Sequence, residues 1–187
     1  MIKLPVPIDE ERKTAYTVEE LSSIAEIRNV QERYCRGIDR ADADIFRTVY
    51  WEDGYDEHGV LSGDWEQYIA WVIPVVRERF AALQHVLGQT FTELDGDFAH
   101  TETYFVQHSL RPDGMAHASP GRYIDRLERR NGEWRVLERK VMMSFFYPTE
   151  IADVAKHSAA GFPVSRMDRD DPSYVRGSLV KDRVPVI

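Results

Sequence analysis

The chain has 187 residues, of which 43% are hydrophobic and 30% are charged, with 24 Lys and Arg against 32 Asp and Glu. This composition predicts one globular domain with a sizeable core, and the net charge of −8 argues against a nucleic-acid partner, which would need a basic surface. The single cysteine excludes an internal disulfide, and the sequence contains neither a membrane-spanning apolar run nor a signal-peptide core. We therefore expect a cytoplasmic protein with no membrane partner.

The first part of the chain predicts an extended arm followed by a helix. Residues 1–16 carry two prolines and mixed charge, which is typical of an arm. The sequence TVEE then predicts a capping box, with Thr17 as the N-cap and Glu20 three positions later. Apolar residues spaced by three and four follow and predict a helix that ends near Gly37.

Two further helices and a strand are predicted before residue 85. Asp42 is expected to cap a short second helix. The sequence YDEHGVLSG, residues 55–63, has the character of a strand that ends at a glycine. Asp64 is expected to open a third helix that continues to residue 84, with a kink or an early break at Pro74.

From His85 onward the hydrophobic period changes from helical to strand-like. Turn sequences DGD, RPDG and RNG separate four extended segments, which are residues 85–94, 97–110, 115–130 and 132–147. Helices followed by an antiparallel meander indicate an α+β fold with the helices on one face of a curved sheet. The predicted domain spans residues 17–147, and the proline-containing residues 148–187 are expected to pack on it or on a neighbouring subunit.

Asp39 and His85 are the two candidates for chemistry. Taken singly, Asp39 can be a solvated turn residue and His85 a partly buried structural histidine. Paired, they would have a function, because an aspartate that accepts a hydrogen bond from one ring nitrogen leaves the other nitrogen as a base near neutral pH. The sequence contains no glycine-rich phosphate loop, nucleophile elbow or zinc-like spacing, so we expect acid–base chemistry without a cofactor or a metal.

Several aromatic and charged residues are candidates for the walls of a pocket. We expect the substrate to contact Tyr50, Trp51, Tyr104 and Lys140. Core packing is the alternative fate of the aromatic residues. Arg139 and Lys140 are adjacent on the last predicted strand, so only one of them can face the pocket, and the sequence does not say which.

Tyr34 and the pair Asp56 and His58 are further candidates for a functional role. The hydroxyl of Tyr34 could donate to a substrate oxygen, but it converges with Asp39 only if the first helix ends near Gly37. Asp56 and His58 share one face of a short strand and could bind a metal with a third ligand, although a solvated role or a place at the pocket rim is the simpler interpretation.

The segments YCRGID, YDEHG, QHVLGQ and GEWRVLERK occur in an order and spacing that resembles the SnoaL-like branch of the NTF2-like superfamily, over residues 18–147. The resemblance implies a cone-shaped roll, in which helices close a curved sheet around one deep pocket. Scytalone dehydratase, hexachlorocyclohexane dehydrochlorinase and bile-acid dehydratase are members that use an Asp–His pair without a cofactor. Asp39 and His85 match that pair, and Tyr34 matches a tyrosine of the bile-acid dehydratase. Gln107 and Met143 stand near the positions of its second acid and its arginine.

The resemblance predicts a cofactor-independent lyase in the catabolism of aromatic compounds. His85 would be the base, Asp39 would orient it, and Tyr34 would protonate the leaving oxygen of a small hydrophobic, aromatic or polycyclic alcohol. Dehydration and retro-aldol C–C cleavage with release of formaldehyde need the same base. The alternatives are a proton-transfer isomerase, a non-catalytic ligand-binding module and the small subunit of a ring-hydroxylating oxygenase. A homo-oligomer, either a trimer or a dimer, is the expected assembly.

Overall fold

The computed structural model describes residues 15–59, 61–145, 147–149, 166–171 and 174. In this part of the chain the elements are α1 (Val18–Asp39), α2 (Ala43–Phe46), β1 (Tyr50–Glu57), β2 (Ser62–Asp64), α3 (Trp65–Arg79), β3 (Ala82–Asp95), β4 (Phe98–Leu110), β5 (Ala116–Arg130), β6 (Glu133–Met143) and β7 (Tyr147–Thr149). Helices pack against a curved, mainly antiparallel sheet, which confirms the predicted α+β class.

Helix α1 begins where the sequence predicts and ends two residues later than expected. The capping box is present, because the Glu20 N–H donates to Thr17 Oγ1 at 3.2 Å and the Thr17 N–H donates to Glu20 Oε2 at 2.8 Å. Gly37 does not end the helix. A Cβ at this position would lie 3.2 Å from the Phe46 ring, so the glycine lets α2 approach α1 closely. Asp39 therefore belongs to the last helical turn of α1.

The sheet has the strand order β2-β1-β6-β5-β4-β3, and β7 pairs with β5. Strands β3 to β6 form the predicted antiparallel meander, whereas β1 runs parallel to β6. The prediction that α3 continues to residue 84 is wrong. The helix ends at Arg79, Phe80 is extended, and Leu83 already pairs with Ser109 of β4, because pairing and burial of this apolar residue in the sheet prevail over the helical pattern.

Part of the C-terminal segment packs on the junction between α1 and α2. The Tyr174 hydroxyl donates to Asp42 Oδ2 at 2.7 Å, and Asp171 pairs with Arg40 at 3.3 Å. Arg169 donates to Asp44 Oδ2 at 2.6 Å. Residues 1–14 and most of the predicted tail lie outside the described residues, so the domain limits at 17 and 147 stay a prediction.

We expect the contribution of Asp42 to stability to be lost in acid. Burial acts to raise the pKa of the Asp42 carboxyl, but hydrogen bonds from Tyr174 and Arg169 outweigh it and hold the pKa below its ordinary value. Such a carboxylate stabilises the fold above its unfolded pKa of about 3.9, and the contribution disappears as pH falls through the folded value. The difference in free energy of unfolding between wild type and Asp42→Asn should be constant at neutral pH and shrink below about pH 4. A difference that persists unchanged in stronger acid would contradict this.

Candidate active site

Asp39 and His85 form a pair held by two hydrogen bonds. Asp39 Oδ1 lies 2.6 Å from His85 Nδ1, and Asp39 Oδ2 accepts from the His85 backbone N–H at 2.9 Å. Because an ionised carboxylate can only accept, this geometry assigns the Nδ1–H tautomer to the neutral ring and leaves Nε2 as the acceptor. The His85 side chain is 7% exposed and that of Asp39 is 12% exposed, so the pair lies at the edge of the interior.

The end of α1 and the start of β3 bring the two residues together. Asp39 is the last residue of α1, and His85 follows the buried Leu83 by two positions, which places both β3 side chains on the inner face of the sheet. About three turns earlier in α1, Arg28 Nη1 donates to the Gly88 carbonyl at 3.0 Å and to Thr90 Oγ1 at 2.7 Å. These bonds fix the helix along β3 and hence the approach of the carboxylate to the ring.

A cavity of about 750 Å³ lies on the inner face of the sheet. Neither Asp39 nor His85 lines it, but the lining residue Gln107 is the cross-strand partner of His85. The end of α3, the turn between β4 and β5, and both of these strands line it, through Glu78, Arg79, Phe80, Gln107, Ser109, Arg111, Pro112, Asp113, His117 and Ser119. Gln107 is the direct cross-strand partner of His85 on one side and of Ser119 on the other. Side chains of such partners project to the same face with Cβ atoms about 5 Å apart, so Gln107 connects the Asp39–His85 pair to the cavity.

The structure does not bring the Tyr34 hydroxyl to the Asp39–His85 pair. Because α1 continues through Gly37 to Asp39, Tyr34 and Asp39 lie about 140° apart around the helix. The Tyr34 hydroxyl lies 2.9 Å from the Tyr68 hydroxyl, and burial raises the pKa of Tyr34 well above its ordinary value. The Tyr34 ring instead packs edge-on against Tyr123, with a centroid distance of 5.2 Å.

Of the four residues expected to contact substrate, only Tyr50 is in the interior, where its hydroxyl donates to Asp56 Oδ2 at 2.5 Å. The Trp51 ring contacts the guanidinium groups of Arg130 and Arg135, and its indole N–H donates to the Glu128 carbonyl at 2.9 Å. Tyr104 neighbours the inward-facing Phe105 and therefore projects from the opposite face, where it is 44% exposed. Lys140 is exposed and pairs with Glu57 at 2.9 Å. The structure thus places Trp51, Tyr104 and Lys140 away from the cavity.

Arg139 rather than Lys140 faces the interior. Its guanidinium donates to both carboxylate oxygens of Asp125 at 2.7 Å, and it also donates to Gln31. The guanidinium stacks on the Tyr34 ring at 4.0 Å from the centroid. A bulge between Val136 and Glu138 reverses the inward and outward positions along β6, which explains why alternation in the sequence could not assign the arginine.

Asp56 and His58 form a second Asp–His pair, with Asp56 Oδ1 and His58 Nδ1 3.0 Å apart. His58 Nε2 lies 3.4 Å from the Tyr68 hydroxyl, and the two rings stack. Asp56 is fully buried, so His58 and the Tyr50 hydroxyl satisfy its oxygens. No group of three or more His, Cys, Asp or Glu side chains that could hold a metal occurs in the described part of the chain.

A model of the SnoaL-like domain matches residues 19–140. A hexachlorocyclohexane dehydrochlorinase (LinA, type 2) has 17% identity and a TM-score of 0.67, with 73% of this chain and 97% of that one covered. A candidate scytalone dehydratase from Novosphingobium aromaticivorans has 13% identity and a TM-score of 0.61, with 71% of this chain and 91% of that one covered. The β subunit of a candidate aromatic-ring-hydroxylating dioxygenase from the same organism has 19% identity and a TM-score of 0.56, with 72% of this chain and 96% of that one covered. At these identities the likeness shows the fold alone.

Neither a curated relative nor a membrane-spanning helix was found, the latter among the described residues. No curated protein sequence matches the chain. Among the described residues, no helix has both the length and the apolar character needed to cross a membrane.

Proposed function

We propose that this chain, which belongs to the SnoaL-like domain family, is a cofactor-independent lyase that acts on a small, largely hydrophobic alcohol, aromatic or polycyclic in character. The observation that carries the proposal is the Asp39–His85 pair, whose histidine is the cross-strand partner of Gln107 in the wall of the cavity of about 750 Å³. Both oxygens of the carboxylate are engaged by His85, which fixes the ring and its tautomer. A merely solvated turn aspartate would not need this arrangement.

The pair can remove a proton from substrate in either of two reactions. In dehydration His85 Nε2 takes a proton from carbon and the C–H electrons form the C=C bond. The oxygen leaves with the C–O electrons and takes up a proton from an acid, so that water is released. In retro-aldol cleavage His85 takes the hydroxyl proton, the O–H electrons form the C=O bond of the departing formaldehyde, and the electrons of the broken C–C bond pass into a conjugated substrate carbonyl as an enolate. The enolate carbon then takes the proton back from the His85 imidazolium. In both reactions Asp39 stabilises the imidazolium that forms.

The cavity walls support a substrate with both apolar and polar parts. Phe80 and Pro112 supply apolar surface, whereas Gln107, Ser109 and Ser119 offer hydrogen-bonding groups on the inner face of the sheet. Tyr34 is left out of this machinery, because its hydroxyl is bonded to Tyr68 in the core. The oligomer expected of the family, a trimer or a dimer, remains part of the proposal.

An untargeted mass-spectrometric screen tests the reaction. Wild type, Asp39→Asn and the control Asp95→Asn, at an exposed position on β3, are incubated without cofactor with hydroxylated aromatics, diols and steroids. A product lighter by water or by formaldehyde, made by wild type and the control but not by Asp39→Asn, is expected. A product of unchanged mass would indicate an isomerase. Ligand retained unchanged by all three proteins would indicate a binding module.

A structural subunit of an oxygenase is the second candidate, since the β subunit noted above shares the fold. This alternative gives no role to a histidine base beside a cavity, so it predicts equal behaviour of wild type and Asp39→Asn. Copurification of the chain in stable, fixed proportion with a larger iron-containing subunit, together with no turnover of its own, would replace the lyase proposal.

A further inference from the structure

We propose that His117 is the general acid of this reaction and donates a proton to the departing oxygen while His85 removes the proton from carbon. The inference rests on the proposed function and adds a second catalytic residue to it. Hydroxide is a poor leaving group, so an elimination of water needs an acid as well as a base, and the Asp39–His85 pair supplies only the base. The acid must reach the same substrate molecule as this base.

His117 lines the cavity of about 750 Å³ together with Gln107, Ser109 and Ser119. It pairs across the sheet with Ser109, which pairs with the buried Leu83. Cross-strand partners project to one face of a sheet, so His117 shares the inner face with Leu83 and, two residues further along β3, with His85. The two histidines therefore share one inner surface, on which His117 lines the cavity and His85 is the cross-strand partner of the lining Gln107.

Their separation suits one small substrate. From His85 to His117 the path crosses two strand spacings and advances two residues, which corresponds to about 12 Å between the Cα atoms. Both residues are on the inner face of the sheet, and only the side chains of Gln107, Ser109 and Ser119 lie between them in the register. A substrate ring that rests on these polar groups can contact a nitrogen of each histidine.

The other described histidines do not meet these requirements. His100 and His108 are exposed on the outer face of β4, and His58 is bonded to Asp56 and Tyr68. Among the groups that line the cavity, the serine hydroxyls and the glutamine amide do not release protons readily near neutral pH, whereas an imidazolium does. His117 is thus the lining group best suited to act as an acid.

Charged side chains from two other parts of the fold line the same cavity as His117. Glu78 and Arg79 come from the end of α3, and Arg111 and Asp113 from the turn between β4 and β5. Arg111 pairs with Asp113 at 3.1 Å.

The reaction balances with these two histidines. His85 starts neutral and takes the carbon-bound proton, the C–H electrons form the C=C bond, and the C–O electrons leave with the oxygen. His117 starts as imidazolium and gives its proton to that oxygen, so water departs. The enzyme is then left with a charged His85 and a neutral His117, and exchange with solvent restores both. Activity should therefore follow a bell-shaped pH profile.

The experiment compares leaving groups. The alcohol identified in the screen and its chloride analogue are each given to wild type, His117→Gln, Asp39→Asn and the control His108→Gln. Chloride leaves without protonation, so His117→Gln should lower kcat/KM for the alcohol about 10²- to 10⁴-fold and leave that for the chloride nearly unchanged. It should also remove the limb of the pH profile that requires a protonated acid. The control should match wild type on both substrates.

The outcomes separate this inference from the proposed function. Equal losses on both substrates, or no loss on the alcohol, would overturn the acid role of His117. Asp39→Asn should lose activity on both the alcohol and the chloride. If it keeps activity on both, the proposed base is overturned instead. Independently of turnover, titration with 2-naphthol should shift the imidazole NMR signals of His85 and His117 and not those of His100 and His108. A shift of His85 alone, or of neither, would overturn the shared cavity. His117→Asn serves as the second variant if His117→Gln fails to fold.

Discussion

Asp39→Asn and His85→Gln should each lower kcat by about 10³- to 10⁴-fold, and the double variant should be no slower than the slower single variant. The asparagine can present its amide N–H groups to His85 Nδ1, which would place the ring proton on Nε2 and remove the base. Glutamine at position 85 has no basic nitrogen at all. Because the two residues act as one unit, the second substitution has no further function to remove.

Rate measurements on purified variants, with unfolding curves recorded in parallel, check this double-variant cycle. Asp95→Asn serves as the matched control for Asp39→Asn, and the exposed His100 gives the control His100→Gln for His85→Gln. Multiplicative losses in the double variant would show that the two residues act separately, and activity similar to wild type in either single variant would exclude the base assigned here. An Asp39→Asn protein with native stability and lost activity would separate chemistry from folding.

Local patterns in the sequence predicted most of the elements correctly. Thr17 and Glu20 form the capping box that their spacing indicates, and Asp42 caps α2. The Asp39–His85 contact could be expected only from the resemblance to a family, because the two residues are 46 positions apart and no local pattern joins them. Pairing of this kind depends on how α1 crosses β3, which is set by the packing of the whole domain.

The errors have specific physical causes. Leu83 fits the helical stripe of α3 but is buried by pairing with β4, so a local period could not place the helix end. The bulge near residue 137 decides that Arg139 faces inward, and a bulge leaves no sign in a pattern of period two. Tyr104 faces outward because it is next to the buried Phe105, and neighbouring side chains of a strand point to opposite faces. His117 had no distinguishing motif, and only the register of three strands shows its relation to His85.

The interior ion pair between Asp125 and Arg139 matters for the stability of the fold, because a charge enclosed by the sheet needs a partner of opposite sign. Both side chains are 0% exposed. Burial acts to lower the pKa of Arg139, but the nearby Asp125 carboxylate outweighs it and raises the pKa, so the guanidinium stays charged. Stability should therefore depend on keeping or removing the two charges together.

Asp125→Leu and Arg139→Met should each destabilise the fold by about 3–5 kcal/mol, because each leaves one uncompensated charge in the interior. The double variant should be clearly more stable than the sum of the two losses predicts, since neither charge remains and the replacements fill the space. Urea unfolding at 25 °C measures the three free energies, and Asp125→Asn, which keeps a hydrogen-bonding group, serves if a single variant does not fold. Additive losses would mean that shape and hydrogen bonding at this site, rather than charge compensation, determine its contribution.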